Sequence, residues 1–139
     1  MQCRIEKITN YKDRISVYNL DALAFLRTVV VRLPRGQNAF VYLDPPYYAK
    51  GDELYLNFYE HADHERLARY LRCGHHFKWV MSYDNVAAIR RLYDGFRQVR
   101  FGLTYTAFER RTGHELLICR NDIVLPRQFK PWIAARNVA

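Results

Sequence analysis

Glycine is sparse and scattered in this sequence. The six glycines, at positions 36, 51, 74, 95, 102 and 113, never reach a G-x-G spacing, so no glycine-rich cradle for a nucleotide or cofactor can be read from it. Long apolar runs are missing as well: nowhere do about 18 apolar residues follow one another, as a membrane-spanning helix needs. The first residues, MQCRIEKITN, carry charges where a signal peptide keeps its apolar stretch. These absences point to a cytoplasmic protein with no membrane partner. Cysteine is scarce too. Cys3, Cys73 and Cys119 are odd in number and far apart, which fits reduced thiols better than a disulfide framework. Cys73 lies near His75 and His76, and His61 is three residues from His64, but neither paired CxxC units nor an HExxH unit occurs, so no metal is expected.

What the chain does have is enough apolar and aromatic residues, 50 % and 15 %, for one core, and residues 1–139 read as a single domain. The formal charge of +8 is uneven: residues 1–85 hold 12 Lys/Arg against 10 Asp/Glu, and residues 86–139 hold 10 against 4. A basic second part favours a polyanion, with nucleic acid the commonest soluble one; a merely solubilising surface is the other reading.

Short apolar strands alternate with amphipathic helices. Residues 15–20 read as a first strand running into Asp21, an N-cap for a helix whose Leu23, Leu26 and Val30 share a face before Pro34 and Gly36 end it. Residues 39–43 are continuously apolar, the pattern of a strand buried on both faces, and stop at Asp44-Pro45-Pro46. Asp63 is placed to cap a helix carrying Leu67, Tyr70 and Leu71 and ending at Gly74, before a strand at 77–82. Asp84 or Asn85 opens a third helix with Val86, Ile89 and Tyr93, stopped by Gly95. Strands at 99–106 and 115–119, separated by a turn-rich break, form a hairpin. The pattern is α/β, mostly parallel, closed by an antiparallel pair.

Asp44-Pro45-Pro46-Tyr47 carries the chemistry. It falls where a strand ends, and open α/β sheets bind ligands at the carboxyl ends of their strands. A residue before proline is held extended, and two prolines fix φ and remove two N–H donors. The resulting turn is rigid and rich in acceptors, because the Asp44 carboxylate and the Pro45 carbonyl can point the same way. Two acceptors suit an exocyclic amine on which charge builds in a transition state. Tyr47 offers a flat face for a base taken out of its helix. The bland alternative is a proline-rich strand end with a surface tyrosine.

Residues 40–121 resemble the second half of the DPPY-class adenine-N6 DNA methyltransferases, the group that contains bacterial DNA adenine methylase. The likeness runs through FVYLDPPYYAKGDELY, DHERLARYL, WVMSYDN, IRRLY, LTYTAF and HELLICRN, in the family's order. It implies an incomplete Rossmann-like methyltransferase sheet of about five strands flanked by helices. It also implies S-adenosyl-L-methionine (SAM) as cofactor and DNA as partner. By this resemblance Asp44 and the Pro45 carbonyl accept hydrogen bonds from the target amino group, Pro46 shapes the turn and Tyr47 stacks on the flipped adenine. Asp21, with Asp44, falls on the cofactor side, although Asp21 reads equally well as a plain helix cap. Tyr48, Lys50, Arg110 and Arg111 are the DNA-contact candidates, with a solvated turn as the alternative for the arginine pair. Tyr48, Tyr55 and Tyr59 could line a base pocket or serve as core.

The chain departs from the resemblance in lacking the family's glycine-rich SAM loop and its target-recognition segment, since only 22 residues separate Asp21 from Asp44. The strand at 39–43 would then have an unpaired edge. Residues 15–20 are expected to pair with it in the same chain and make a fifth strand; the rival is that another chain covers it, as a separate amino-terminal half or as a second copy. Two rival functions stand beside methylation of adenine in DNA: a non-catalytic DNA-binding remnant, and methyl transfer to RNA or a protein amide.

Overall fold

The computed structural model describes residues 2–34, 39–49, 58–105 and 111–126, with the side chains of 2–4, 103–105 and 111–113 left aside. Two units are present, Met1–Arg32 and Leu33–Ala139.

The first unit is helical. Helix α1 spans Gln2–Thr9, an element the sequence pattern did not suggest, and a single 3-10 turn follows at Lys12–Arg14. Residues 15–20, expected as a strand, form no strand. Their β-branched and aromatic residues stay open instead, with Val17 90 % exposed. Local propensity without a neighbouring ladder does not make a strand. Helix α2, Ala22–Thr28, starts as expected, with the Asp21 carboxylate accepting the Ala24 N–H at 3.1 Å. A second 3-10 turn, Val30–Arg32, ends the unit before Pro34, and Leu26 and Val30 are its buried residues.

The second unit is α/β. Strand β1, Phe40–Leu43, leads through helix α3, His61–Arg72, to strand β2, Lys78–Asp84, which lies parallel to it. Helix α4, Ala87–Leu92, leads on to β3, Arg97–Tyr105, and a hairpin returns as β4, Arg111–Cys119. The sheet order is β1-β2-β4-β3, with β4 antiparallel to both its neighbours. Three strands therefore run one way and the hairpin's last strand fills the gap between them. Among the described residues the sheet has four strands rather than about five, and residues 15–20 form none.

The helix ends correct two expectations in detail. Glu60, not Asp63, is the N-cap of α3, and Asp63 at the third helical position reaches back to accept the Glu60 N–H at 2.9 Å. Val86 is the N-cap of α4, because Asp84 is engaged elsewhere. Gly74 and Gly95 follow the two helix ends with φ of 72° and 91°, a backbone that glycine adopts without strain.

Alternation along β2 decides what lies where. Trp79, Met81 and Tyr83 point into a core shared with Leu116 and Ile118 of β4, His64, Leu67, Ala68 and Leu71 of α3, and Ile89 of α4. Ser82 and Asp84 lie on the opposite face, together with Glu115, which pairs directly with Asp84. That polar face, at the carboxyl ends of the two parallel strands, meets the proline motif.

Candidate active site

Leu43 is buried and the next residue, Asp44, is exposed, so the strand delivers the carboxylate to the surface as it ends. Pro45 is buried and Pro46 half-buried, so packing as well as ring geometry fixes the turn. Ser82, only 6 % exposed, donates its hydroxyl to Asp44 Oδ1 at 2.8 Å. The Tyr42 hydroxyl lies 2.7 Å from the same Ser82 oxygen.

Two further carboxylates hold the residues after the prolines. Asp84 accepts the Tyr48 N–H at 2.9 Å through Oδ1 and the Ala49 N–H at 2.8 Å through Oδ2. Glu115, 6 % exposed, accepts the Tyr47 hydroxyl at 2.7 Å. Tyr47 is thus tied at its ring tip, and Tyr48 at its backbone.

Tyr48 also leans on α3. Its hydroxyl lies 3.0 Å from His61 Nδ1, and its ring centroid is 5.1 Å from that of His64. His64 is fully buried, with Nδ1 2.8 Å from the Tyr83 hydroxyl and Nε2 without a hydrogen-bond partner among the described residues. Burial pushes the His64 imidazole below its ordinary range, opposed by the nearby carboxylates Asp84 and Asp63. Burial likewise drives the Tyr83 and Tyr93 hydroxyls well above the usual phenol range, so this layer behind the loop is uncharged at neutral pH.

Of the residues singled out in the sequence, Asp44, Pro45, Pro46, Tyr47 and Tyr48 lie together in this turn, while Tyr59 packs against His64 at 5.4 Å between ring centroids. Asp21 belongs to the other unit, where it caps α2. Lys50, Tyr55 and Arg110 lie outside the described residues, and Arg111 opens β4 opposite Tyr105, its side chain outside them too. Tyr42, Ser82, Glu115 and the loop-holding role of Asp84 escaped the sequence reading. The available signal was the polar pair in WVMSYDN: its alternate residues end the strand beside the motif strand, so they fall on the motif's own face.

A carboxylate fixed at a strand end, a turn short of N–H donors and two anchored tyrosines make a site that accepts hydrogen bonds and offers flat faces. Among the described residues no group of three His, Cys, Asp or Glu side chains could hold a metal ion, and no helix is long and apolar enough to cross a membrane. No curated protein matches the chain. The family model of the D12 class N6 adenine-specific DNA methyltransferases matches residues 2–107, which covers the first unit from Gln2 and the second through β3, the proline motif and β2 included, but stops short of β4 and Glu115. The match spans well over half of the 139 residues, and the chain belongs to the family of D12 class N6 adenine-specific DNA methyltransferases.

Proposed function

We propose that the turn after β1 holds the N6 amino group of an adenine taken out of DNA, and that this chain takes part in methylating it. The observation that carries this reading is the Asp44 carboxylate at a strand end, held by Ser82 and followed by a turn whose two tyrosines are each anchored. Asp44 and the Pro45 carbonyl would take one N–H each from the amine and stabilise the positive charge that grows on nitrogen as it is alkylated. Pro46 would keep the two acceptors aligned. Tyr47 would lie against the base, with its hydroxyl held by Glu115 so that the ring presents one face. Tyr48, Lys50, Arg110 and Arg111 would meet the DNA around it, chiefly its phosphates.

The methyl donor implied by the family is SAM, whose sulfonium would supply the methyl group. The described residues fit the accepting base better than this donor. Asp21 caps a helix, and the sequence has no G-x-G loop to cradle a cofactor. We place the sheet as part of a Rossmann-like methyltransferase sheet, with the site at the carboxyl end of its parallel strands. A second reading is a module that keeps the base site and binds DNA without methylating it.

Incubating the purified chain with methyl-labelled SAM and unmethylated duplex DNA, RNA or protein separates these readings. Label on adenine N6 in DNA, lost in Asp44→Ala, is the expected result. Turnover retained in that variant removes the mechanism, label in RNA or protein changes the substrate, and DNA retention without label supports the binding module.

A further inference from the structure

Ser82 is a buried hydroxyl with two polar contacts and one proton. It gives that proton to Asp44 Oδ1, so the contact with Tyr42 must run the other way, with the Tyr42 hydroxyl donating to Ser82. The order is fixed by chemistry: Tyr42 O–H to Ser82 oxygen, Ser82 O–H to Asp44 carboxylate. Residues 42 and 44 share a face of β1 and its extension, while residue 82 stands on the same face of the neighbouring strand, so the backbone itself brings the three groups into line.

We propose that Ser82 is a positioning residue for Asp44, held in its donating orientation by Tyr42, and that it makes the site selective for a primary amine. This rests on the reading of Asp44 as the amine acceptor. An exposed aspartate would otherwise rotate freely about its side chain. With Oδ1 engaged by Ser82, the carboxylate plane is set and Oδ2 is the oxygen left to meet the base. The protein then presents Oδ2 and the Pro45 carbonyl, both acceptors, and the hydroxyl protons of Ser82 and Tyr42 are already committed. A group with two N–H bonds satisfies both, whereas a keto oxygen at the same place would face only lone pairs. Such mismatches discriminate strongly because they leave buried or crowded polar groups unpaired.

A bond that merely ties β2 to β1 would behave differently from a positioning bond, and the variants Ser82→Ala, Ser82→Thr and Tyr42→Phe separate the two. In the full chain with isotope-labelled aspartate carboxyls, the Asp44 resonance, assigned through Asp44→Asn, is expected to move in Ser82→Ala and to return toward its original position in Ser82→Thr. With methyl-labelled SAM and unmethylated duplex DNA, Ser82→Ala should lower kcat on the order of ten-fold while KM for DNA stays within about two-fold. Ser82→Thr should recover most of the rate, and Tyr42→Phe should lose less than Ser82→Ala because water can replace an exposed phenol. An Asp44 resonance indifferent to Ser82→Ala overturns the relay itself, whatever the activity. A moved resonance with kcat unchanged overturns the positioning role and leaves a structural bond. A resonance that moves in Ser82→Ala, when the wild-type chain retains DNA but transfers no methyl group, overturns the catalytic part of the proposed function and, with it, the effect on rate assigned to Ser82.

Discussion

Asp84 and Glu115 stand directly opposite each other across β2 and β4, and both of their carboxylates are spent on the loop that leaves β1. Like charges at a directly opposed pair are unfavourable on their own. Here three donors offset the repulsion: the Tyr48 and Ala49 N–H groups on Asp84, and the Tyr47 hydroxyl on Glu115. Hydrogen bonds to charged acceptors are the stronger kind. The motif loop is therefore held from strands other than its own.

Removing the Asp84 carboxylate should free the loop's backbone before it harms the fold. Asp84→Ala is expected to cost about 1–2 kcal/mol, since both bonds are at most half-buried and solvent replaces part of them. Amide exchange at Tyr48 and Ala49 should speed up more than at Met81 in the same sheet, and Asp84→Asn, with one acceptor oxygen instead of two, should fall between. Exchange at those two amides unchanged in Asp84→Ala would refute the clamp.

Tyr47 and Glu115 form a pair that a double-mutant cycle can isolate. Tyr47→Phe keeps the ring and loses only the hydroxyl, while Glu115→Gln keeps an acceptor of similar shape. With urea unfolding as the measurement, Tyr47→Phe and Glu115→Ala should couple by about 1 kcal/mol, and Tyr47→Phe with Glu115→Gln by less. Strict additivity in the first cycle would mean the contact contributes nothing.

The motif could be read from the sequence because its residues are consecutive and its strand is uniformly apolar, so the strand end at Asp44 followed from local pattern. The groups that hold it could not, because Ser82 lies 38 residues from Asp44 and Glu115 lies 68 from Tyr47, and only the sheet order brings them together. Asp84 illustrates the competition at its plainest. A carboxylate before a helix is a natural cap, yet here the two loop N–H groups engage it and α4 starts without a side-chain cap. Residues 15–20 failed for the converse reason: β-rich composition describes what a sheet would accept, and it does not supply the sheet.

His64 ties stability to pH. The unfolded chain protonates this histidine near its ordinary value of 6.5, whereas in the fold burial holds it lower. Between those two values the unfolded state binds more protons, so stability rises with pH there, is whole above 6.5, and falls as the solution is acidified below it. The charges facing the ring, Asp84 and Asp63 on one side of the balance and His61 on the other, soften the effect without reversing it. Thermal melting between about pH 7.5 and 5 should show this loss, and His64→Gln should flatten it. A slope that His64→Gln leaves intact would place the titration on another group.

The basic second part predicts weak duplex DNA binding that falls steeply with salt, because each phosphate contact releases counterions. Arg110→Ala combined with Arg111→Ala should flatten the logarithmic salt slope by at most about two units. Filter binding over a salt series measures it directly, and an unaltered slope would move the phosphate contacts away from the hairpin turn.

The edge of the sheet gives the sharpest test of what lies beside the motif strand. The Lys78 N–H donates to the Ala39 carbonyl at 3.0 Å, and Phe40 is the residue paired with Lys78. In a parallel ladder of that register the N–H groups of Val41 and Leu43 point toward β2, and those of Phe40 and Tyr42 point to the other side. Their side chains are open as well, at 58 % and 59 % exposure. Among the described residues β2 is the sole ladder partner of β1, so alternating protection is expected: slow amide exchange at Val41 and Leu43, fast exchange at Phe40 and Tyr42. Slow exchange at all four would require another strand along this edge. If that protection grew with protein concentration, the strand would come from a second copy of the chain; if it held on dilution, from within the same chain.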